Sequence, residues 1–147
     1  MELDKFSSLK LKDIKKIDNY FEISSIEHKG SFLSRAVRRK VMDKIQELLS
    51  LVSNYLNPDS SLVQVHDAQA LNDSERIKLV KILKDFAKLE KEYQILELTS
   101  NTQMDVIWID NTLILYELHL DTIKSIINKI KNSYDAEEIK IDVNYLG

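Results

Sequence analysis

Apolar positions recur every three or four residues over two long stretches of the chain, and that spacing predicts amphipathic helices. In the first stretch, Val37, Val41, Ile45, Leu48, Leu49, Val52 and Leu56 mark one face of a helix that begins at Ser31 or Ser34 and runs to Leu56. Asn57-Pro58 stops it, because proline cannot continue the hydrogen-bond ladder and disfavours helix in the residue before it. The second stretch opens at Asn72, with Glu75 three residues on to close a capping box. Ile77, Val80, Leu83, Phe86, Leu89 and Tyr93 form its apolar face. Its end stays open: the helix stops near Lys91 and leaves 93–99 as a strand, or it continues to Leu98. Residues 2–20, with Leu3, Phe6, Leu9, Leu11, Ile14 and Ile17 among lysines, predict a short amphipathic helix. Residues 22–31 read as a connection punctuated by Gly30. Residues 58–71 read as a looser piece with one helical turn around Leu62, Val63 and Val65.

The most apolar stretch is 103–121, QMDVIWIDNTLILYELHLD. Val106, Ile107, Trp108 and Ile109 form one β-branched and aromatic run; Leu113, Ile114, Leu115, Tyr116, Leu118 and Leu120 form a second. Asp110-Asn111 between them suits a turn, since both tolerate left-handed backbone. Runs that are apolar on both faces predict strands covered on both sides. A single buried helix through 104–120 is the rival, because periodicity alone does not separate the two for short apolar runs. Asp121 or Thr122 then caps a helix through about Lys131, and 138–145 alternates like a strand with one buried face. The expected fold class is α+β: an N-terminal helical region over 1–71, then an α-β-β-β-α-β nuclease-like core over 72–147, the two packed as one compact unit. The alternative is a mainly α bundle with a small hairpin.

Composition narrows the function classes. The 147 residues include two glycines, one proline and no cysteine. There is therefore no disulfide framework, no thiolate metal site and no cysteine nucleophile. Charged residues follow Met1 and no 18-residue apolar run exists, which predicts neither export nor a membrane span, hence a cytoplasmic location. The net charge of −3 is uneven: residues 1–50 hold 11 Lys/Arg against 8 Asp/Glu, and the remainder 10 against 16. Nucleic-acid affinity comes mostly from phosphate neutralisation, so such contacts would use the N-terminal half. Arg35, Arg38, Arg39 and Lys40 crowd the start of the first long helix, where cations oppose the helix macrodipole. A solvated face is the plain reading; phosphate contact is the functional one. His66-Asp67 reads as a local hydrogen bond without a role.

Residues 72–147, taken as helix, strand, strand, strand, helix, strand, resemble the PD-(D/E)XK (restriction-endonuclease-like) nuclease superfamily. Asp105 in MDVIW and Glu117-Leu118-His119 in LYELHL carry the resemblance. It implies metal-assisted phosphodiester cleavage, with Asp105 and Glu117 holding Mg²⁺ or Mn²⁺. His119 stands where the family usually has a lysine. That departure leaves both an active enzyme and a catalytically degenerate relative open, and Lys124 is a conceivable substitute amine. Register decides whether this site can form. A two-residue turn at 110–111 puts Asp105 opposite Tyr116, with Glu117 on the other face. A three-residue loop at 110–112 puts Asp105 opposite Glu117, but asks β-branched Thr112 to take left-handed backbone. Trp108 and Tyr116 read as core, not as base-stacking platforms.

A second function class rests on the two long helices alone. Stretches 34–56 and 73–91 can form a helical hairpin that makes a homodimer or docks a partner helix, without metal and without catalysis. Glycine-rich phosphate loops, Ser-His-Asp sets and HExxH are absent from the sequence.

Overall fold

The computed structural model describes residues 3–27, 30, 32–99 and 101–135. Its architecture is helical, and among the described residues there is no strand. A 3₁₀ turn at Asp4–Leu9 leads to α1 (Ile14–Phe21), a second 3₁₀ turn at Ile23–Ser25, α2 (Leu33–Leu56), α3 (Leu62–Gln69), α4 (Asp73–Glu97) and α5 (Thr102–Ser133). The α+β expectation is therefore overturned. The chain is a helical bundle in which α2, α4 and α5 pack on one another around a common core. That core draws residues from both 1–71 and 72–147.

Local chemistry sets the boundaries. Lys10 (φ 57°) and Glu22 (φ 56°) take left-handed backbone, ending the first 3₁₀ turn and α1. The expected single helix over 2–20 is thus two short pieces, the second capped by the Asp13 carboxylate accepting from the Lys16 N–H at 3.1 Å. Gly30 (φ 90°) occupies a conformation that glycine takes without a Cβ penalty. α2 ends at Asn57-Pro58 as the sequence requires. Ser61 caps α3, which is two turns long where one was expected. At the start of α4 the capping box is complete: Glu75 N–H donates to Asn72 Oδ1 and Asn72 N–H to Glu75 Oε1, both at 2.8 Å.

α4 runs to Glu97 with Leu98 as its C-cap, so of the two open readings the continued helix holds and no strand forms over 93–99. Its buried face is Leu79, Ile82, Phe86, Leu89 and Leu96, while Ile77 and Val80 are exposed. The 103–121 segment is the first half of one 32-residue helix. The Asp110-Asn111 turn and the separate helix from 121 do not exist; both lie inside α5. Asn101 caps this helix by accepting from the Met104 N–H at 3.1 Å, and no glycine or proline interrupts it. Trp108, Ile109, Leu113, Tyr116, Ile123, Ile126 and Ile130 point into the core at helical spacing. The strand expected at 138–145 lies outside the described residues.

Candidate functional site

Three of the residues singled out for chemistry, Arg38, Arg39 and Asp105, meet at one junction, where the start of α2 meets the turn between α4 and α5. Arg38, in the second turn of α2, has no solvent exposure. Its Nη1 donates to Glu97 Oε1 at 2.9 Å. Its Nε lies 2.9 Å from Asp105 Oδ1, but the two atoms are not aligned as a hydrogen bond, and Nη2 has no hydrogen-bond partner among the described residues. Asp105 Oδ2 accepts from Ser34 Oγ at 2.8 Å. The guanidinium carbon sits 4.8 Å from the centre of the Tyr93 ring. On the outer side Arg39 grips Glu97 with both ends of its fork, Nε to Oε1 and Nη2 to Oε2, each at 3.0 Å.

Such bidentate pairing is among the stronger charge-assisted hydrogen bonds. It holds the Glu97 carboxyl well below the usual range, at about 2, with the Tyr93 hydroxyl and the Arg38 charge adding to the effect of Arg39. Burial, then the hydrogen bond to Glu97, pushes the Tyr93 phenol up to about 12. Two of the cations that looked misplaced at a helix start are thus neutralised, Arg38 by Glu97 of α4 and Asp105 of α5, and Arg39 by Glu97. The solvated-face expectation fails for Arg38. Sequence reasoning missed Glu97 altogether, and the signal that could have found it is that macrodipole conflict.

The remaining site candidates lie elsewhere. Twelve residues of helix separate Asp105 from Glu117, about 18 Å along the axis. Glu117 is half-buried beside α1, 3.3 Å from Lys16 Nζ, and accepts from the Tyr20 hydroxyl at 3.4 Å. His119 Nε2 meets Asp85 Oδ2 at 2.7 Å, with Phe86 edge-on to its ring. The hairpin register that would have juxtaposed Asp105 and Glu117 has no counterpart in a helix. The two carboxylates do not fit one Mg²⁺ or Mn²⁺ ion, because they are far apart and already carry cationic or hydroxyl partners. Among the described residues, no group of three or more His, Asp or Glu side chains is placed to hold a metal. Arg35 lies over the Phe32 ring, and with Lys40 and Arg39 it lines an open depression of about 770 Å³. Of the four cations expected to meet phosphate, Arg38 is buried and Arg39 is engaged with Glu97.

Two other polar groups are structural. Asp110 is buried and accepts from the Lys12 N–H at 3.1 Å, and burial pushes its carboxyl up. His66 Nε2 is 2.9 Å from Ser133 Oγ, tying α3 to the end of α5.

The solvent side of α5 has a different character. Met104, Ile107, Ile114 and Leu118 are exposed and, with Asn111 between them, step by three and four residues along the helix. This row borders a shallow groove against α4. A cavity of about 260 Å³ lies among Ile95, Leu96, Met104, Ile107 and Trp108. A second, of about 370 Å³, lies among Lys88, Leu89, Ile114 and Leu115. Glu92 and Asn111 line both. Among the described residues no helix is long and apolar enough to cross a membrane.

Comparison of the chain with family models, with curated proteins and with solved structures finds no match.

Proposed function

We propose that this chain is a non-catalytic helical interaction module. The observation that carries this reading is the exposed row on α5. Met104, Ile107, Ile114 and Leu118 are 46%, 59%, 58% and 62% exposed, and Ile95 across the groove is 60% exposed. Single exposed apolar side chains need no explanation, but a contiguous ridge does. The spacing is that of a seam built to receive another helix. The inner faces of α2 and α4, through which a helical hairpin was expected to dimerise, are occupied within the chain. The available surface is therefore α5 with the edge of α4.

The test is binding of an environment-sensitive apolar dye to the native chain, with Ile107→Lys/Ile114→Lys as comparison. Dye fluorescence on the native wild type, lost in a doubly substituted chain of unchanged thermal midpoint, supports an open docking face. The reading is overturned if the wild type, as a native monomer, binds no dye.

A further inference from the structure

We propose that the occupant of the α4/α5 groove is a second copy of this chain, joined across a two-fold axis that passes near Asn111. The inference rests on the interaction-module reading and names the partner of that surface.

The first argument is the order of the row. Asn111 is its centre, Ile107 and Ile114 flank it, and Met104 and Leu118 close the ends. The row spans about 21 Å of helix. In a two-fold contact a patch must complement itself, and a row that is apolar on both sides of one central amide does so. No charged side chain lies in the row, so two copies meet there without like-charge repulsion.

The second argument is Asn111. An amide offers two donors and an acceptor, so it can satisfy a copy of itself across a symmetry axis. One asparagine within an otherwise apolar seam is the device that fixes register and limits association to pairs, at some loss of strength. A heterologous helix would need a matching polar group at that one level.

The third argument is area. The exposed portions of Ile95, Met104, Ile107, Ile114 and Leu118 amount to about 500 Å² per copy, or about 1,000 Å² for a pair, the lower edge of specific interfaces. The expected dimer is therefore weak and concentration-dependent.

Sedimentation equilibrium on the full chain, from about 10 µM to about 500 µM, tests this. The wild type should pass from monomer to dimer, with no larger species. Ile107→Lys/Ile114→Lys should abolish the dimer. Asn111→Asp should weaken it by about tenfold or more by placing two carboxylates across the axis, whereas Asn54→Asp, the same change at an exposed site on α2, should not. Asn111→Leu should tighten association and admit larger species. A dimer indifferent to all the α5 substitutions overturns the inference but leaves an interaction module with another face. A wild type that stays monomeric yet binds the apolar dye also overturns it, and points to a different helix as occupant. A monomer that binds no dye removes both readings.

Discussion

Arg38 and Asp105, 67 positions apart in sequence, place Nε and Oδ1 2.9 Å from each other with the guanidinium fully out of water. Neither atom is aligned to hydrogen-bond the other, so the link is an ion pair held by packing between α2 and α5. Breaking such a pair leaves an uncompensated buried charge. Arg38→Ala or Asp105→Ala should each cost about 3–5 kcal/mol of unfolding free energy. Replacing both with hydrophobic residues of similar volume, Arg38→Met with Asp105→Leu, should recover much of that loss. A double-mutant cycle by urea denaturation checks it, and additive single effects would sink the coupling.

Glu97 makes the junction acid-sensitive. Its folded pKa, about 2, lies below the ordinary 4.5, so between these values the unfolded chain binds the proton and the folded chain does not. Stability from this group is complete above about pH 4.5 and is lost as pH falls towards about 2. The size is at most about 3 kcal/mol, less in high salt because Arg39 is half exposed. Glu97→Gln should flatten stability against pH across that window. Equal slopes for the wild type and the variant from pH 4.5 to 2 would contradict the assignment.

Asp105 and Glu117 should respond differently to truncation. Glu117 makes a partly exposed pair with Lys16, and such pairs are worth roughly 0–1 kcal/mol. Glu117→Ala should therefore leave the thermal midpoint within a few degrees of wild type, whereas Asp105→Ala should lower it strongly. Matching losses would mean that Glu117 also anchors the fold.

Trp108 Nε1–H donates to the Leu89 carbonyl at 3.0 Å, joining α5 to α4. Trp108→Phe keeps most of the ring and loses the donor, at a cost of about 1–2 kcal/mol. Trp108→Ala also opens a cavity and should cost about 3–5 kcal/mol. The chain has one tryptophan, so its fluorescence should shift to longer wavelength on unfolding. A native spectrum already at the exposed position would contradict the burial of this ring.

The capping box at the start of α4 is local enough to be tested alone. Asn72→Ala should cost about 1 kcal/mol, and Asn72→Ser should cost much less. An alanine variant as stable as wild type would mean that packing of Leu79 and Ile82, not the cap, secures this helix end.

By itself the sequence determined the features whose causes are local. Asn57-Pro58 ends α2 because of proline's backbone, and Asn72 with Glu75 starts α4 because their side chains reach nearby N–H groups. The periodic apolar face of 34–56 is equally local in its pattern. Residues 103–121 were not legible in this way. Their inner helical face carries Asp105, Thr112 and His119, which are buried beside partners: Ser34 and the Arg38 charge, the Trp108 carbonyl, and Asp85. Their outer face carries Ile107, Ile114 and Leu118. Polar groups inside and apolar groups outside blur the 3.6-residue period, and what remains resembles two apolar strands. The tertiary structure decided for helix: packing on α2 and α4 buries the one face whose polar members have partners there, and a helix satisfies its own backbone groups without a sheet. The same packing separated Asp105 from Glu117 and drew Arg38 inward. It also left the α5 row facing solvent.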